Sequence, residues 1–353
     1  MESIIGLTTA ELERVALEMG EPDYRGRQLA QWVYRRGAES VDDMSDLPRA
    51  FRDRLTERFE IGLLAVANRD TAADGTVKYL LDLADGEQVE SVYLPYPDRV
   101  SVCLSCQVGC PAGCTFCATA LGGLARNMTA SEIVAQMLQL QREQPDRRIS
   151  HVVYMGMGEP LLNYDSVIRS VRLLIDEVGI SARHITISTV GVVPGIRKLA
   201  EESLPITLAL SLHATSDDLR ERLIPTARKW KLAEILDACR EYHEKTRRNL
   251  TFEYLLLEGI NDSPDQAREM ERLLDGLPGN VNLIPFNYID SSSGFRRPAA
   301  DRIRRFREAL EQAGRVTTQR MERGHAISAA CGQLRRSAGT LRPQPARTLS
   351  TVA

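Results

Sequence analysis

The chain has 353 residues, of which 43% are hydrophobic and 26% are charged, and its formal net charge is −3. Because this length exceeds that of an average domain, we expect one large domain with smaller attachments. No stretch approaches the roughly 18 consecutive apolar residues that a membrane-spanning helix needs. The N-terminus also lacks the basic and then apolar segments of a signal peptide. These features argue against a membrane protein and predict a cytoplasmic one.

The charge is unevenly distributed along the chain. Residues 291–353 contain 13 arginines but four acidic residues, so this segment is basic and the rest of the chain is acidic. Such asymmetry fits a face that contacts phosphate groups. A solvated arginine-rich helix followed by a frayed tail explains the charge equally well.

The first 60 residues are predicted to form a small helical domain. Thr8 or Thr9 can cap a first helix, which ends before Gly20. Apolar residues then recur with helical spacing in two further segments. These residues are Leu29, Trp32 and Val33 in the second segment and Phe51, Leu55 and Phe59 in the third.

A β-hairpin extension is predicted at residues 61–98. From residue 77 the apolar side chains of Val77, Tyr79 and Leu81 occupy every second position, which is typical of a strand. Asp85-Gly86 is a hairpin turn signal, and residues 89–93 form the return strand.

Residues 99–334 are predicted to form the core domain, because short apolar stretches alternate with amphipathic helical segments. This alternation indicates βαβ units, a parallel sheet and an open or closed barrel of about six units, with functional groups at the C-terminal strand ends. The stretches after the first strand lie at 152–155, 185–188, 206–212, 250–257 and 281–286. The helices lie near 129–143, 165–178, 194–202, 231–245, 264–276 and 299–314. Residues 335–353 are expected to be a disordered tail.

Three closely spaced cysteines, Cys110, Cys114 and Cys117, form a CxxxCxxC motif. Three thiolates can ligate three irons of a 4Fe–4S cluster and leave the fourth iron open to a ligand. A zinc site is an alternative, but zinc-binding cysteines usually occur as two CxxC pairs, and the sequence has no second pair. Inert thiols and an iron–sulfur electron carrier are further alternatives. The carrier would need four cluster ligands.

Two stretches of sequence resemble one known family. They are the string at 103–119, which contains Cys-Leu-Ser-Cys-Gln-Val-Gly-Cys and Cys-Thr-Phe-Cys-Ala-Thr, and the Ala-Ala-Cys-Gly-Gln-Leu string at 329–334. Both are similar to the RlmN/Cfr family of radical S-adenosylmethionine (SAM) RNA adenine methyltransferases, and the resemblance covers nearly the whole chain. It implies an α/β fold, with a partial (β/α)6 barrel, an N-terminal helical domain and a hairpin extension. It also implies two cofactors, a 4Fe–4S cluster and SAM.

The resemblance assigns ligand-binding roles to residues at the strand ends. It implies that the three motif cysteines hold the cluster, and that SAM binds its open iron. The positions that match the SAM-contacting residues of the family are Gly158, Glu159, Ser188, Ser211, Leu212, His213 and Asn287. Without the resemblance, the Gly-rich turn at 156–160 is weak evidence, and a lone histidine is more often structural.

The resemblance further implies a methyl relay through cysteine. Cys331 takes a methyl group from one SAM molecule, and a radical derived from a second SAM activates that group for addition to the base. Cys103 then resolves the adduct by forming a Cys103–Cys331 disulfide, and Glu90 accepts the proton from the base. Cys106, where many relatives have serine, receives no role, and Cys239 is expected to be buried.

The implied substrate is an adenosine of 23S ribosomal RNA, methylated at carbon 2, together with a tRNA adenosine beside the anticodon. A rival branch of the family methylates carbon 8. The carbon 8 branch often has cysteine at the position of Val108, so Val108 favours carbon 2. A radical SAM enzyme acting on a protein or small molecule is a further alternative, against which the Cys103 and Cys331 pair argues. We expect a monomer, reduced by a flavodoxin or ferredoxin. The expected RNA-contacting surfaces are the helical N-terminus and an arginine-rich segment at 296–323, with Arg296, Arg297, Arg304, Arg305 and Arg320.

Overall fold

The computed structural model describes residues 1–289, 294–321 and 323–335. Of the tail expected at residues 335–353, only Arg335 falls within the described part. Within the described ranges, no helix has the length and apolar composition needed to cross a membrane.

Three helices dominate the N-terminal part of the chain. In chain order, its elements are β1 (Glu2–Ser3), α1 (Thr9–Glu18), α2 (Tyr24–Gln31), α3 (Arg49–Arg58) and β2 (Phe59–Glu60), and β1 pairs with β2 in parallel. Thr8 caps α1: its hydroxyl accepts the Glu11 N–H, and the Glu11 carboxylate accepts the Thr8 N–H. The predicted cap at Thr8 is therefore confirmed, and Leu29, Phe51 and Leu55 are buried. Phe59 was predicted on the third helix, but it begins β2.

Four antiparallel strands follow the helices. They are β3 (Ala65–Thr71), β4 (Val77–Asp82), β5 (Gln88–Pro95) and β6 (Val100–Cys103). The predicted hairpin is confirmed, with Gly86 in the left-handed region at φ 83° and the alternate residues of β4 buried. The sequence did not reveal β3, because its residues are mostly polar and exposed and show no apolar alternation.

The cysteine motif lies in a loop that a small second sheet closes at its base. This region contains β7 (Gln107–Gly109), α4 (Ala118–Leu121) and β8 (Leu124–Asn127), and β7 pairs with β8 in antiparallel. Gly109 has φ 82°, and a Cβ atom there would lie 2.0 Å from the carbonyl oxygen of Gly123. Cys110 N–H donates to the same oxygen. The close approach that closes the loop therefore requires glycine at position 109.

Parallel strands and their helices form the rest of the core. The strands are β9 (His151–Tyr154), β10 (Ile185–Thr189), β11 (Thr207–Ser211), β12 (Leu250–Leu256), β13 (Gly279–Pro285) and β14 (Thr317–Gln319). The helices are α5 (Ala130–Glu143), α6 (Tyr164–Leu173), α7 (Val193–Glu201), α8 (Asp217–Leu223), α9 (Leu232–Thr246), α10 (Pro264–Leu273) and α11 (Ala300–Gln312). Every predicted core strand and helix is present, whereas α8 and β14 were not predicted.

One ten-stranded sheet joins the hairpin extension to the core, in the order β14-β13-β12-β11-β10-β9-β6-β5-β4-β3. Neighbouring strands from β6 to β14 are parallel, as the βαβ pattern predicted. Because β14 and β3 lie at opposite ends of this order, the barrel is partial and open. The C-terminal ends of the parallel strands therefore gather at one edge of the core.

The N-terminal helices dock on α6 and on the turn that extends it. Arg169 of α6 donates to the Gly6 carbonyl and to the Glu11 carboxylate, both at 2.7 Å. The Glu177 carboxylate accepts the Thr9 N–H and hydroxyl, and Arg35 donates to the Val178 carbonyl. Hydrogen bonds as well as apolar packing therefore fix the helical part against the core.

Candidate active site

A cavity opens at the C-terminal ends of the parallel strands, where the βαβ pattern predicted the functional groups. Its enclosed volume is about 130 Å³. All three motif cysteines line it, together with five of the seven residues predicted to contact SAM: Gly158, Glu159, Ser188, Ser211 and His213.

The three motif cysteines enter this cavity from a single loop. Burial raises the pKa of the Cys110 thiol to about 12 and that of Cys114 well above its usual range, and Cys117 opposes ionisation of both. Among the described residues, no group of three or more His, Cys, Asp or Glu side chains is arranged to hold a single metal ion. In a 4Fe–4S cluster each thiolate binds a different iron, so three thiols sharing one cavity wall suit a cluster better than one ion.

The glycine-rich turn after β9 is tightly packed at the edge of the cavity. Gly158 has φ 113°, and a Cβ atom there would lie 2.8 Å from Cys106 Sγ and from the Gln107 backbone nitrogen. The Glu159 carboxylate accepts the N–H groups of Leu161 and Val190, at 3.1 and 2.8 Å. Burial raises the pKa of Glu159 to about 7. This carboxylate is thus anchored to the main chain while it lines the cavity.

Polar side chains at the ends of β10 and β11 also line the cavity. The hydroxyl oxygens of Ser188 and Ser211 are 3.4 Å apart. His213 Nδ1 accepts the Leu255 N–H at 3.0 Å, and the His213 ring stands edge-to-face to Phe116 with centroids 5.1 Å apart. Burial lowers the pKa of His213 to about 3. The imidazole is therefore neutral at physiological pH, with its proton on Nε2.

The other two residues predicted to contact SAM, Leu212 and Asn287, are not among those that line this cavity. The Leu212 side chain is buried, and its N–H donates to the Glu253 carbonyl at 3.0 Å. Asn287 lines a smaller neighbouring cavity, where its Nδ2 donates to the Cys331 carbonyl at 3.1 Å. Its Oδ1 is buried and has no hydrogen-bond partner among the described residues. Such an unpaired acceptor fits a ligand that supplies an N–H donor.

Cys103 and Cys331 are brought together although they are far apart in sequence. Both line the smaller cavity, and Cys331 also lines the larger one. Burial raises the pKa of Cys103 to about 12, and burial also raises the pKa of Cys331, against the opposing charge of Arg320. The segment that carries Cys331 is held by the cysteine loop, because Ala118 N–H donates to the Gly332 carbonyl and the Thr119 hydroxyl donates to the Leu334 carbonyl.

Glu90 is buried on β5 beside the end of this C-terminal segment. Its carboxylate accepts the Arg335 N–H at 2.7 Å and forms an ion pair with Lys78 at 3.1 Å. Burial raises the pKa of Glu90, although the Arg335 N–H and the Lys78 charge act in the opposite direction. Glu90 is absent from the linings of both cavities but contacts the segment that carries Cys331.

Sequence reasoning missed several charged residues of the site. Arg220 is buried and donates to the carbonyls of Val190, Ser211 and Leu212, which fixes the strand ends beneath the cavity. Glu253 on β12 lines the larger cavity, and Asn282 donates to its carboxylate at 2.8 Å. Arg220 belongs to no local motif, so no signal in the sequence distinguishes it from a surface charge. Glu253 interrupts the apolar stretch at 250–257, and a charge inside a buried strand is a signal that could have identified it.

Arg320, which was predicted to contact RNA together with four other arginines, lies apart from the exposed arginines of α11. Its N–H continues the β13–β14 pairing by donating to the Leu283 carbonyl, and its side chain lines both cavities. Arg304 and Arg305 do lie exposed on α11, where they pair with Glu308 and Asp301. The charge of the segment predicted a surface role for Arg320, but strand pairing places it at the cavities.

Comparison with known proteins assigns the chain to a family. Residues 104–270 match the Radical SAM superfamily, and residues 3–61 match the Ribosomal RNA large subunit methyltransferase N-terminal domain. The probable dual-specificity RNA methyltransferase RlmN of Symbiobacterium thermophilum is 52% identical, over 94% of this chain and 91% of the relative. Its counterpart in Thermosynechococcus vestitus is 46% identical, over 95% and 98%.

A solved structure agrees with these relatives. The crystal structure of a radical SAM methyltransferase from Sphaerobacter thermophilus superposes with a TM-score of 0.91 at 46% identity, and the match covers 95% of this chain and 99% of that one. The superfamily uses a 4Fe–4S cluster and SAM, which fit the three-cysteine loop and the adjoining cavity described above. The chain therefore belongs to the RlmN family of radical SAM methyltransferases.

Proposed function

We propose that the chain methylates carbon 2 of an adenosine in 23S ribosomal RNA, and also a tRNA adenosine beside the anticodon, through an S-methylcysteine at Cys331. The observation that carries this proposal is the convergence of Cys103 and Cys331 on a cavity next to the three-cysteine loop. The relatives named dual-specificity RNA methyltransferases support RNA as the substrate. Val108 supports carbon 2 rather than carbon 8.

The residues that would hold the cofactors lie around the larger cavity. Cys110, Cys114 and Cys117 would hold the cluster, while Gly158, Glu159, Ser188, Ser211 and His213 would contact SAM. The backbone of Leu212 and the unpaired Oδ1 of Asn287 complete this set. When bound, the cluster and SAM supply a methyl group and, after one-electron reduction, a carbon radical that abstracts hydrogen.

Cys331, Cys103 and Glu90 act on the base as the methyl carrier, the resolving thiol and the proton acceptor. Cys331 carries the methyl group as a thioether, whose carbon becomes bonded to the adenine ring. Glu90 accepts the proton from the substituted ring carbon, and its burial favours the protonated carboxyl. Cys103 attacks the Cys331 sulfur, and the sulfur–carbon bond breaks with its electron pair left on the carbon that is bonded to the base. That carbon takes up a proton and becomes the methyl group of the product. The resulting disulfide is reduced by external thiols before the next turnover.

The substrate must present an unstacked base to the cavity mouth, which RNA loops do more readily than duplexes. The exposed Arg304 and Arg305 on α11 and the docked N-terminal helices are the proposed RNA-contacting surfaces. We further propose that the protein acts as a monomer and that a flavodoxin or ferredoxin supplies the reducing electron.

Mass spectrometry of the tryptic peptide 324–335 tests the proposal. Protein purified from cells that load the cluster should carry one additional methyl group on Cys331, and the Cys103→Ala variant should retain covalently bound RNA at the same residue. Digestion of the trapped adduct identifies the adenine carbon that is bonded to Cys331. If that carbon is carbon 8, carbon 8 replaces carbon 2 in the proposal. Unmodified Cys331 in cluster-loaded protein, with no RNA bound to the variant, would instead indicate a radical SAM enzyme with another substrate.

A further inference from the structure

Arg320 is a cation at the boundary between the two cavities, and its side chain has no strong hydrogen-bond acceptor among the described residues. It lines both cavities, as does Cys331. Among the described residues, the hydrogen bond of its guanidinium is to the sulfur of Met155, at 3.6 Å. A thioether is a weak acceptor, so this bond does little to compensate the partial burial of the guanidinium.

The groups that face the guanidinium are anionic or can become so. They favour the charged form of Arg320, and in decreasing order of their effect on its pKa they are Cys331, Glu253, Cys103 and Tyr96. Conversely, Arg320 is the cation that opposes the effect of burial at both Cys103 and Cys331. One fixed positive charge therefore serves two sulfurs that lie on separate segments of the chain.

We propose that Arg320 is a positioning residue for the thiol pair, whose guanidinium holds negative charge first on Cys331 and then on Cys103. This inference rests on the proposed function, in which each sulfur in turn is a nucleophile. When Cys331 bonds to the methyl carbon, its sulfur gives up an electron pair and loses its negative charge. When Cys103 bonds to the Cys331 sulfur, the negative charge of Cys103 passes with the broken bond to the base.

The test measures thiol reactivity, which does not depend on methyl transfer. Protein reconstituted with its cluster and kept free of SAM is treated with iodoacetamide at one pH, and the alkylation rates of Cys103 and Cys331 are followed by peptide mass spectrometry. Arg320→Gln should slow both rates by about tenfold, because a nearby positive charge is lost. Arg320→Lys keeps the charge and should stay within about threefold of the wild-type rates.

Two further variants separate electrostatics from packing. Arg323 is bound by the carbonyl of Pro95 at 2.7 Å and stacks on Tyr96, so Arg323→Gln should leave both alkylation rates unchanged. Glu253 opposes ionisation of Cys331. Glu253→Gln should therefore keep or increase the alkylation rate of Cys331, whereas a role confined to packing would lower it.

Wild-type alkylation rates in Arg320→Gln, or equal slowing in Arg320→Lys, would overturn the inference, as would a slower rate in Glu253→Gln. Iron content and thermal melting are measured for every variant. If Arg320→Gln fails to load the cluster, the alkylation rates of Arg320→Lys and Glu253→Gln still test the inference. The proposed function is judged separately by adding SAM to the wild-type protein and reductant to the reaction. Failure to methylate Cys331 would then reject the function, while the alkylation rates would still report on Arg320.

Discussion

His213 is held by three separate constraints at one position. Its backbone is in the left-handed region at φ 58°, its carbonyl accepts the Asn261 side-chain N–H at 2.9 Å, and its Nδ1 accepts the Leu255 N–H. The left-handed conformation is uncommon for a residue with a side chain. The ring is consequently fixed in one tautomer at the cavity wall, and it cannot take up a second proton without losing the hydrogen bond from Leu255.

The pKa of His213 predicts a pH dependence of the free energy of unfolding. The unfolded histidine takes up a proton below about pH 6.5, whereas the folded one, with a pKa of about 3, does not. The stability that this group contributes is therefore fully present well above pH 6.5 and is lost as the pH decreases toward 3, by about 2 kcal/mol between pH 7.5 and 5. Urea unfolding at pH 7.5 and pH 5 should show a smaller loss in His213→Asn, because asparagine does not titrate. Asparagine also tolerates the left-handed backbone at this position. An equal loss in both proteins would contradict the prediction.

Gly158 is required for steric as well as conformational reasons. Alanine at this position would place Cβ 2.8 Å from a backbone nitrogen of β7, so Gly158→Ala should lower the free energy of unfolding by about 3 kcal/mol. Gly86 is a matched control, because it has φ 83°, but no described residue other than its chain neighbours has an atom within 4 Å of the position that a Cβ atom would take. Gly86→Ala should cost about 1 kcal/mol. Denaturant unfolding of both variants checks this, and similar losses would show that steric contact is unimportant.

At the level of the elements, α5 fixes the strands that carry the site through one buried amide. Gln136 Oε1 accepts the Ser91 hydroxyl and the Ser105 N–H, and its Nε2 donates to the Ser105 carbonyl. The Ser105 hydroxyl in turn donates to the Glu90 carbonyl and accepts the Met157 N–H. This network joins the helix to the strand of Glu90, the segment after Cys103 and the turn after β9.

Replacing Gln136 with leucine should therefore be strongly destabilising. It leaves two buried donors and one acceptor without partners, at a cost of about 3 kcal/mol or more. Gln139 is the matched control on the same helix, since it is buried but its Oε1 has no partner among the described residues. Gln139→Leu should change stability by less than about 1 kcal/mol. Thermal or urea unfolding distinguishes the two, and equal losses would show that the Gln136 network contributes little.

At the scale of the whole molecule, the site forms where three remote segments meet. The cysteine loop holds the main chain of Gly332 and Leu334, the β5 carboxylate of Glu90 holds Arg335, and the Gln333 side chain donates to the Tyr288 carbonyl. The C-terminal segment is thus attached to the hairpin extension, to the cysteine loop and to the segment after β13. Changes in the cysteine loop should be transmitted to Cys331 by these bonds.

Removal of the cluster tests this connection. A cluster bound by the folded chain adds its binding free energy to stability, so chelation should lower the melting temperature. Hydrogen exchange should increase in residues 110–123 and also in 329–335, because the loop carries the hydrogen bonds that hold that segment. The N-terminal helices should exchange at an unchanged rate. An increase confined to the cysteine loop would contradict the connection.

Local patterns in the sequence predicted much of the fold and part of the site. The capping residue Thr8, the Asp85-Gly86 turn and the alternation of core strands and helices depend on neighbours within a few residues, so the sequence alone revealed them. The spacing of Cys110, Cys114 and Cys117 likewise placed them in one loop. Family resemblance, rather than any local pattern, singled out Glu90, Cys103 and Cys331.

Tertiary structure decided what depends on contacts between distant segments. Arg304 and Arg320 belong to the same basic stretch, yet Arg304 is exposed on α11 and Arg320 lines the cavities because its backbone pairs with β13. In sequence, Arg220 and Gln136 are indistinguishable from other polar helix residues. Only the structure shows that Arg220 binds the Leu212 carbonyl and that Gln136 binds the Ser105 N–H. A sequence by itself determines spacing and local conformation, whereas the register of strands and the packing of helices determine which polar groups meet away from water.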